Sequence, residues 1–272
     1  MSVTRFAPSP TGHLHLGHAF AALVAAESGE AFLLRIEDLD QGRAREEFVA
    51  AIFEDLRWLG LAWPEPLLRQ SQRMAVYRTA LATLQGDGLV YPCFCTRKEI
   101  AAEIARAAEA PHGPDGPLYP GTCRHLNKAE RAAQIASGAP YALRLDAKAA
   151  AERAGPLTFL EKGESMSVDP LAFGDLVLAR KDVPAAYHLA VVVDDAFQAV
   201  TLVTRGEDLL PATHVQRLLQ TLLALPEPAY AHHRLILDAE GRKFSKRDQA
   251  VTLRALRDDG ATPRDVRRRI GL

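Results

Sequence analysis

Between Val3 and Leu59 the sequence switches repeatedly between the strand period and the helix period, and each switch is punctuated by turn residues. An apolar run at 3–6 reads as a strand, Pro8 to Gly12 as a turn, the alanine-rich stretch 19–27 as a helix stopped by Gly29, and 31–36 as a second strand. Phe48, Ile52, Leu56 and Leu59 then recur at helical spacing before Gly60, and a third helix is expected from a Ser71 cap to about Gly86. Strands joined through helices must run parallel, with helices on both faces, so the chain is expected to be α/β with a doubly wound parallel sheet. Apolar runs at 176–178, 202–203 and 235–237 supply later strands, with helices around 187–193 and 214–223.

Residues 93–170 interrupt this pattern. The segment opens with Cys93-Phe94-Cys95, continues into a helix capped by the Thr96/Glu99 box, and passes through a Gly/Pro-rich stretch at 111–121. The expected division is a catalytic domain at 1–92 and 171–246, an inserted subdomain at 93–170, and a tail at 247–272 of two short helices, the second begun by Thr262-Pro263. No run approaches the ~20 apolar residues of a membrane span, and the N-terminus has no signal-peptide pattern, which points to the cytoplasm. Three cysteines cannot form a paired framework, and 33 basic against 34 acidic residues create no global field, so any nucleic-acid contact must be local.

Three constellations carry chemistry. His15, Gly17 and His18 lie between the first strand and the first helix, where a helix N-terminus favours negative charge and two imidazoles can donate to phosphate oxygens. Gly17 lets backbone and ligand approach closely. The basic run Lys243-Phe-Ser-Lys246-Arg247 can neutralise a triphosphate during attack at its α-phosphorus. Cys93, Cys95 and Cys123 can occupy three corners of a zinc tetrahedron, with Tyr119, His112 and His125 open as the fourth ligand; three buried reduced cysteines are the alternative. For a small acidic substrate, Arg5 and Arg205 could clamp a carboxylate, Glu37 could receive an ammonium group, and Ser9 and Tyr187 offer hydroxyls.

Taken together, His15-Leu-Gly17-His18 and Lys243-Phe-Ser-Lys246 resemble the two signatures of class I aminoacyl-tRNA synthetases, in their order and separation. Arg5-Phe-Ala-Pro-Ser-Pro-Thr-Gly and Arg35-Ile-Glu37-Asp38 are similar to the glutamyl branch. The resemblance implies a Rossmann-like catalytic domain, ATP with Mg2+, catalysis by His15, His18 and Lys246, ATP binding by those residues with Gly17 and Lys243, and glutamate binding by Arg5, Ala7, Ser9, Glu37, Tyr187 and Arg205. Ordinary members continue past the second signature into a helical anticodon-binding region; this sequence stops. It departs from discriminating members at Val191, where they carry Asn, so a polar contact to glutamate is expected to be missing. The stop, Val191 and the C-x-C…Y-x-x-x-C pattern resemble the short paralogues that glutamylate the queuosine of tRNA(Asp), in which Tyr119 would complete the Zn2+ site. The resemblance thus implies L-glutamate and queuosine-bearing tRNA(Asp) as partners. A truncated glutamyl- or glutaminyl-tRNA synthetase charging a terminal adenosine, and a non-catalytic tRNA-binding or zinc-binding paralogue, are the other readings.

Overall fold

The computed structural model describes residues 1–106, 112–114, 116–180, 185–237 and 251–272. Strand β1 (Val3–Phe6) leads through helix α1 (Leu16–Ser28) to β2 (Ala31–Ile36), then through α2 (Glu46–Trp58) to the short β3 (Leu68–Arg69) and α3 (Met74–Gly86). These three strands form a parallel sheet in the order β1-β2-β3. Helix α1 begins at Leu16, earlier than its alanine run, because His15 caps it. Helix α3 begins later than expected, because the Ser71 amide and hydroxyl are both taken by Asp38, at 2.8 and 2.7 Å, and cannot cap it.

The middle of the chain supplies β4 (Val90–Cys93), α4 (Arg97–Arg106), the β5/β6 pair (His112–Gly113 and Gly116–Pro117), α5 (Lys128–Ala136), β7 (Ala142–Leu145), α6 (Ala147–Ala154), the hairpin β8 (Thr158–Glu161) and β9 (Glu164–Ser167), and β10 (Val177–Arg180). Strands β10, β7 and β4 form an antiparallel sheet. The run at 176–178 therefore does not join the parallel sheet, as its apolar character suggested. Next come α7 (Tyr187–Phe197), β11 (Leu202–Gly206), α8 (Leu210–Leu222) and β12 (Ala229–His233). Strand β12 pairs in parallel with β11 on one side and β8 on the other. The strand expected at 235–237 is thus β12, several residues earlier; its buried positions are Tyr230 and His232, and a buried histidine hides the alternation from a hydropathy pattern.

The two parallel halves meet at β1 and β11: the Thr201 amide donates to the Val3 carbonyl at 3.0 Å, and the Val3 amide to the Thr201 hydroxyl at 2.8 Å. Strand order reverses at this seam, which is where an open α/β sheet leaves a crevice at the carboxyl ends of its strands. Helices α9 (Leu253–Asp258) and α10 (Pro263–Ile270) close the chain; Leu253, Leu256, Val266 and Ile270 are buried in the same core as α1, α2, β1 and β2. Thr262 caps α10 with Pro263 at its first position, as the sequence pattern implies. A second core packs α3, α7 and α8 against β7 and β10. No described helix is long and apolar enough to cross a membrane.

Helix α7 ties these layers through two adjacent buried acids. Asp194 accepts from Gln70, Arg73 and Tyr77, at 2.9, 2.7 and 2.7 Å, which fixes α7 to α3 and the turn before it. Asp195 accepts from Arg5 and Arg35, at 3.0 and 2.7 Å, which fixes α7 to β1 and β2. Replacing one partner of a buried ion pair leaves the others desolvated without compensation. Asp195→Asn is therefore expected to lower unfolding stability by roughly 3–5 kcal/mol, read from urea denaturation midpoints; a variant as stable as the wild type would remove the cluster from the stabilising core.

Candidate functional site

Residues singled out in the sequence stand on both sides of the β1/β11 seam, Arg5 on β1 and Arg205 on β11. Ser9, Glu37 and Tyr187 line one cavity of about 390 Å³, together with Thr11, Asp40 and Arg43. Arg5 lies on β1 with its guanidinium on Asp195 and on the Thr204 carbonyl, at 3.0 and 3.3 Å. Ala7 follows directly after β1. Arg35, absent from the expected site, is completely buried and bridges Asp195, Gln198 and Glu37, at 2.7, 3.0 and 3.1 Å. Burial pushes the Glu37 carboxyl above its ordinary pKa, against the pull of Arg35 and Arg5. An ammonium group entering the cavity would hold that carboxylate ionised.

Arg205 is buried on β11 and has no carboxylate within salt-bridge reach among the described residues. Its partners are neutral: the Thr213 hydroxyl at 2.7 Å, the Gln216 carbonyl oxygen at 2.7 Å and His232 Nε2 at 3.0 Å. Because Arg205 can only donate, His232 Nε2 must accept, and the ring proton sits on Nδ1, 2.6 Å from Glu161. The Glu161 carboxylate thus reaches Arg205 only through an imidazole. A guanidinium has five N–H donors and three are used, which leaves two for a planar carboxylate. Sequence reasoning missed His232, Glu161, Thr213 and Gln216, which carry no motif. A histidine in the alternating Ala229–His233 run, facing the same way as Tyr230, is the only signal.

The His15 and His18 rings lie in contact at the start of α1, with centroids 3.8 Å apart and planes tilted by 39°. The Gly17 amide donates to His15 Nδ1 at 3.1 Å, and the His15 amide to His18 Nδ1 at 3.2 Å. With both Nδ1 atoms accepting, a neutral ring carries its proton on Nε2, a donor suited to an anionic oxygen. A Cβ on residue 17 would stand 3.1 Å from the His15 ring, so Gly17 keeps the space that the ring occupies. Lys243 and Lys246 lie outside the described residues. The described chain that follows them is fixed to the histidines: Thr252 forms a β-bridge with His15, and the Leu253 amide donates to the Leu14 carbonyl at 2.8 Å.

The three thiols converge at the end of β4. Cys93, Cys95 and Cys123 hold their sulfur atoms within 4.8 Å of one another. The Tyr119 hydroxyl lies 3.4 Å from Cys93 Sγ and 3.5 Å from Cys95 Sγ, so all four donors of the expected set face a common centre. These separations are near the ~3.8 Å between ligands of a tetrahedron with ~2.3 Å metal–sulfur bonds. His125 is exposed and stands outside the group, while the His112 side chain lies outside the description. Burial pushes the Cys95 thiol up to about 12. For Cys123 burial is outweighed by hydrogen bonds from Tyr119 and the Phe94 amide, which hold it below the ordinary thiol range. The Arg144 guanidinium sits 3.9 Å over the Tyr119 ring.

Val191 is buried among the apolar residues of the second core, so its side chain adds no polar group to the crevice.

The full chain, residues 1–272, matches the family of class I tRNA synthetases (E and Q), catalytic domain, and belongs to it. It is 48% identical over 278 residues to the glutamyl-Q tRNA(Asp) synthetase of Rhodobacter capsulatus, covering 99% of this chain and 100% of that protein. The glutamyl-Q tRNA(Asp) synthetase of Nocardia farcinica is 47% identical, with 96% of this chain and 81% of the relative covered. The crystal structure of a glutamate tRNA ligase from Elizabethkingia meningosepticum in complex with its amino acid superposes with a TM-score of 0.77 at 28% identity. That match covers 96% of this chain and 58% of the other.

One titration reports on the crevice. His188 follows Tyr187 in the first turn of α7, its Nδ1 closed from solvent without a hydrogen-bond partner, and burial and then the Arg205 charge push it down to about 4. An imidazole kept neutral in the fold but free to protonate when unfolded stabilises fully above the unfolded pKa of about 6.5; that stability drains away as pH falls towards 4. Across that window the wild type should lose on the order of 2–3 kcal/mol more than His188→Gln, measured by chemical denaturation at each pH. Parallel pH profiles would show that His188 titrates normally.

Proposed function

We propose that this synthetase activates L-glutamate with ATP in the absence of tRNA and transfers the glutamyl group to the queuosine of tRNA(Asp). The first step is carried by two observations: a cavity lined by Ser9, Glu37 and Tyr187, and a buried guanidinium on β11, Arg205, whose hydrogen-bond partners are all neutral and leave it two donors. Arg205 takes the side-chain carboxylate, with Arg5 adding positive potential from its place on Asp195. Glu37 takes the α-ammonium, and Ser9 and Tyr187 orient the ligand by hydroxyl contacts, with Ala7, directly after β1, adding a backbone contact. Glutamate held this way presents its α-carboxylate to the α-phosphorus of ATP bound along the start of α1.

The α-carboxylate oxygen attacks the α-phosphorus in line, the bond to the bridging oxygen breaks, and pyrophosphate leaves. His15 and His18 donate from Nε2 to the oxygens that gain charge, and Gly17 admits the chain of phosphates. Lys243 and Lys246 supply ammonium groups to the same phosphates, in keeping with the exit of their segment at His15. Mg2+ bound to the triphosphate would offset its charge. A hydroxyl of the acceptor then attacks the mixed anhydride and releases AMP. The relatives named for glutamyl-Q tRNA(Asp) support the cyclopentenediol of queuosine as that acceptor, with vicinal hydroxyls like those of a ribose. The purified chain should exchange pyrophosphate into ATP with glutamate and without tRNA, with glutamine and aspartate poor substrates. Labelled glutamate should appear on tRNA(Asp) only when the tRNA carries queuosine. Label on the 3′-terminal adenosine, or equal labelling with and without queuosine, would favour the truncated-synthetase reading.

Cys93, Cys95, Cys123 and Tyr119 would hold one zinc ion, whose role is to cross-link the end of β4 to the loop that carries Tyr119 and Cys123. Elemental analysis should find one zinc per chain, and Cys123→Ser should lower the content and expose the 93–170 segment to proteolysis before the parallel sheet. A zinc-free native protein with the same protease resistance would reject the site.

A further inference from the structure

A second cavity of about 380 Å³ opens beside the first. Its walls include Leu81 and Leu143, its rim carries Tyr141 from the segment before β7, and Arg78 and Arg180 stand at its mouth. Ala179 and Arg180, at the end of β10, line both cavities, so the two share a wall. Tyr141 is 38% exposed, and its ring packs edge-to-face with Phe94, 5.6 Å between centroids, in the segment between two of the clustered thiols. Neither Arg78 nor Arg180 has a carboxylate within salt-bridge distance among the described residues, whereas eleven other arginines do.

We propose that this cavity is a nucleotide subsite, which receives a base of the tRNA neighbouring the glutamylated nucleotide. The assignment rests on tRNA being the acceptor, whichever of its nucleotides is acylated. A held aromatic face beside aliphatic walls suits a splayed, unstacked base, and unneutralised guanidiniums at the mouth suit the phosphates on either side of it. An apolar peptide would leave the two charges unmatched, and an acidic one would not use the ring. The shared wall sets the reach: a nucleotide presented to the glutamyl group at the first cavity and its neighbour in the second are separated only by the end of β10, as consecutive nucleotides of one strand require.

The test uses the full-length protein with Tyr141→Ala, Tyr141→Phe and Arg78→Ala. Both side chains are surface-accessible and lie outside the glutamate and ATP contacts, so glutamate-dependent pyrophosphate exchange should stay at the wild-type rate in all three. In transfer assays, KM for the accepted tRNA should rise about ten-fold or more in Tyr141→Ala, and Tyr141→Phe should restore it. In filter binding, Arg78→Ala should reduce the slope of log affinity against log salt by about one. Wild-type KM in Tyr141→Ala with a wild-type salt slope in Arg78→Ala, or a fall in exchange equal to the fall in transfer, would overturn the subsite. If the wild type charges a tRNA other than queuosine-bearing tRNA(Asp), the acceptor assignment fails, and the same variants judge the subsite on the tRNA that is charged.

Discussion

The crevice depends on one carboxylate. Asp195 receives Arg5 from β1 and Arg35 from β2, and no described water-exposed group takes part. Two buried guanidiniums on neighbouring strands would repel each other and resist desolvation; with Asp195 between them, and Glu37 on the far side of Arg35, the charges interleave. That arrangement fixes the position of Glu37 at the cavity wall and sets α7, with Tyr187 at its first residue, against the strand ends. The strand reversal at β1 and β11 makes the space, and the interleaved charges decide which groups look into it.

Arg205 follows a different logic on the other side of the seam. Its neighbours are a hydroxyl, an amide and an imidazole, which orient the guanidinium without discharging it. Had Glu161 touched it directly, an anionic ligand would have to compete with a resident carboxylate. Placing His232 between them keeps the guanidinium rigid and receptive. Arg5 is committed to Asp195 and Arg205 is not, so two arginines that read alike in the sequence have distinct parts in the structure.

Much of this was legible beforehand, for identifiable reasons. The strand–helix alternation from Val3 to Ile36 and the histidine turn are local patterns, and the structure repeats them nearly residue for residue. Ser9, Glu37 and Tyr187 do share one cavity, and the three thiols with Tyr119 do converge. What stayed hidden is long-range. Asp194 and Asp195 follow an apolar run and carry no motif, and their partners are more than a hundred positions away in sequence. The antiparallel pairing of β10 with β7, and the joining of β8 to β12, depend on which apolar runs find each other, and composition does not encode that. Lys243 and Lys246 fall outside the described residues, so only the fixed point after them, Thr252 on His15, bears on their reading.

The adjacency of Asp194 and Asp195 also limits how the gene can drift. Successive residues on a helix point about 100° apart, and here one acid faces α3 while the next faces β1 and β2. A codon inserted or deleted upstream within α7 would turn both acids away from their partners together, whereas a substitution touches only one. Lineages that share this architecture should therefore show length changes in turns such as those around β5 and β6, and a fixed count of residues from Tyr187 to Asp195 even where the intervening apolar side chains are exchanged for one another.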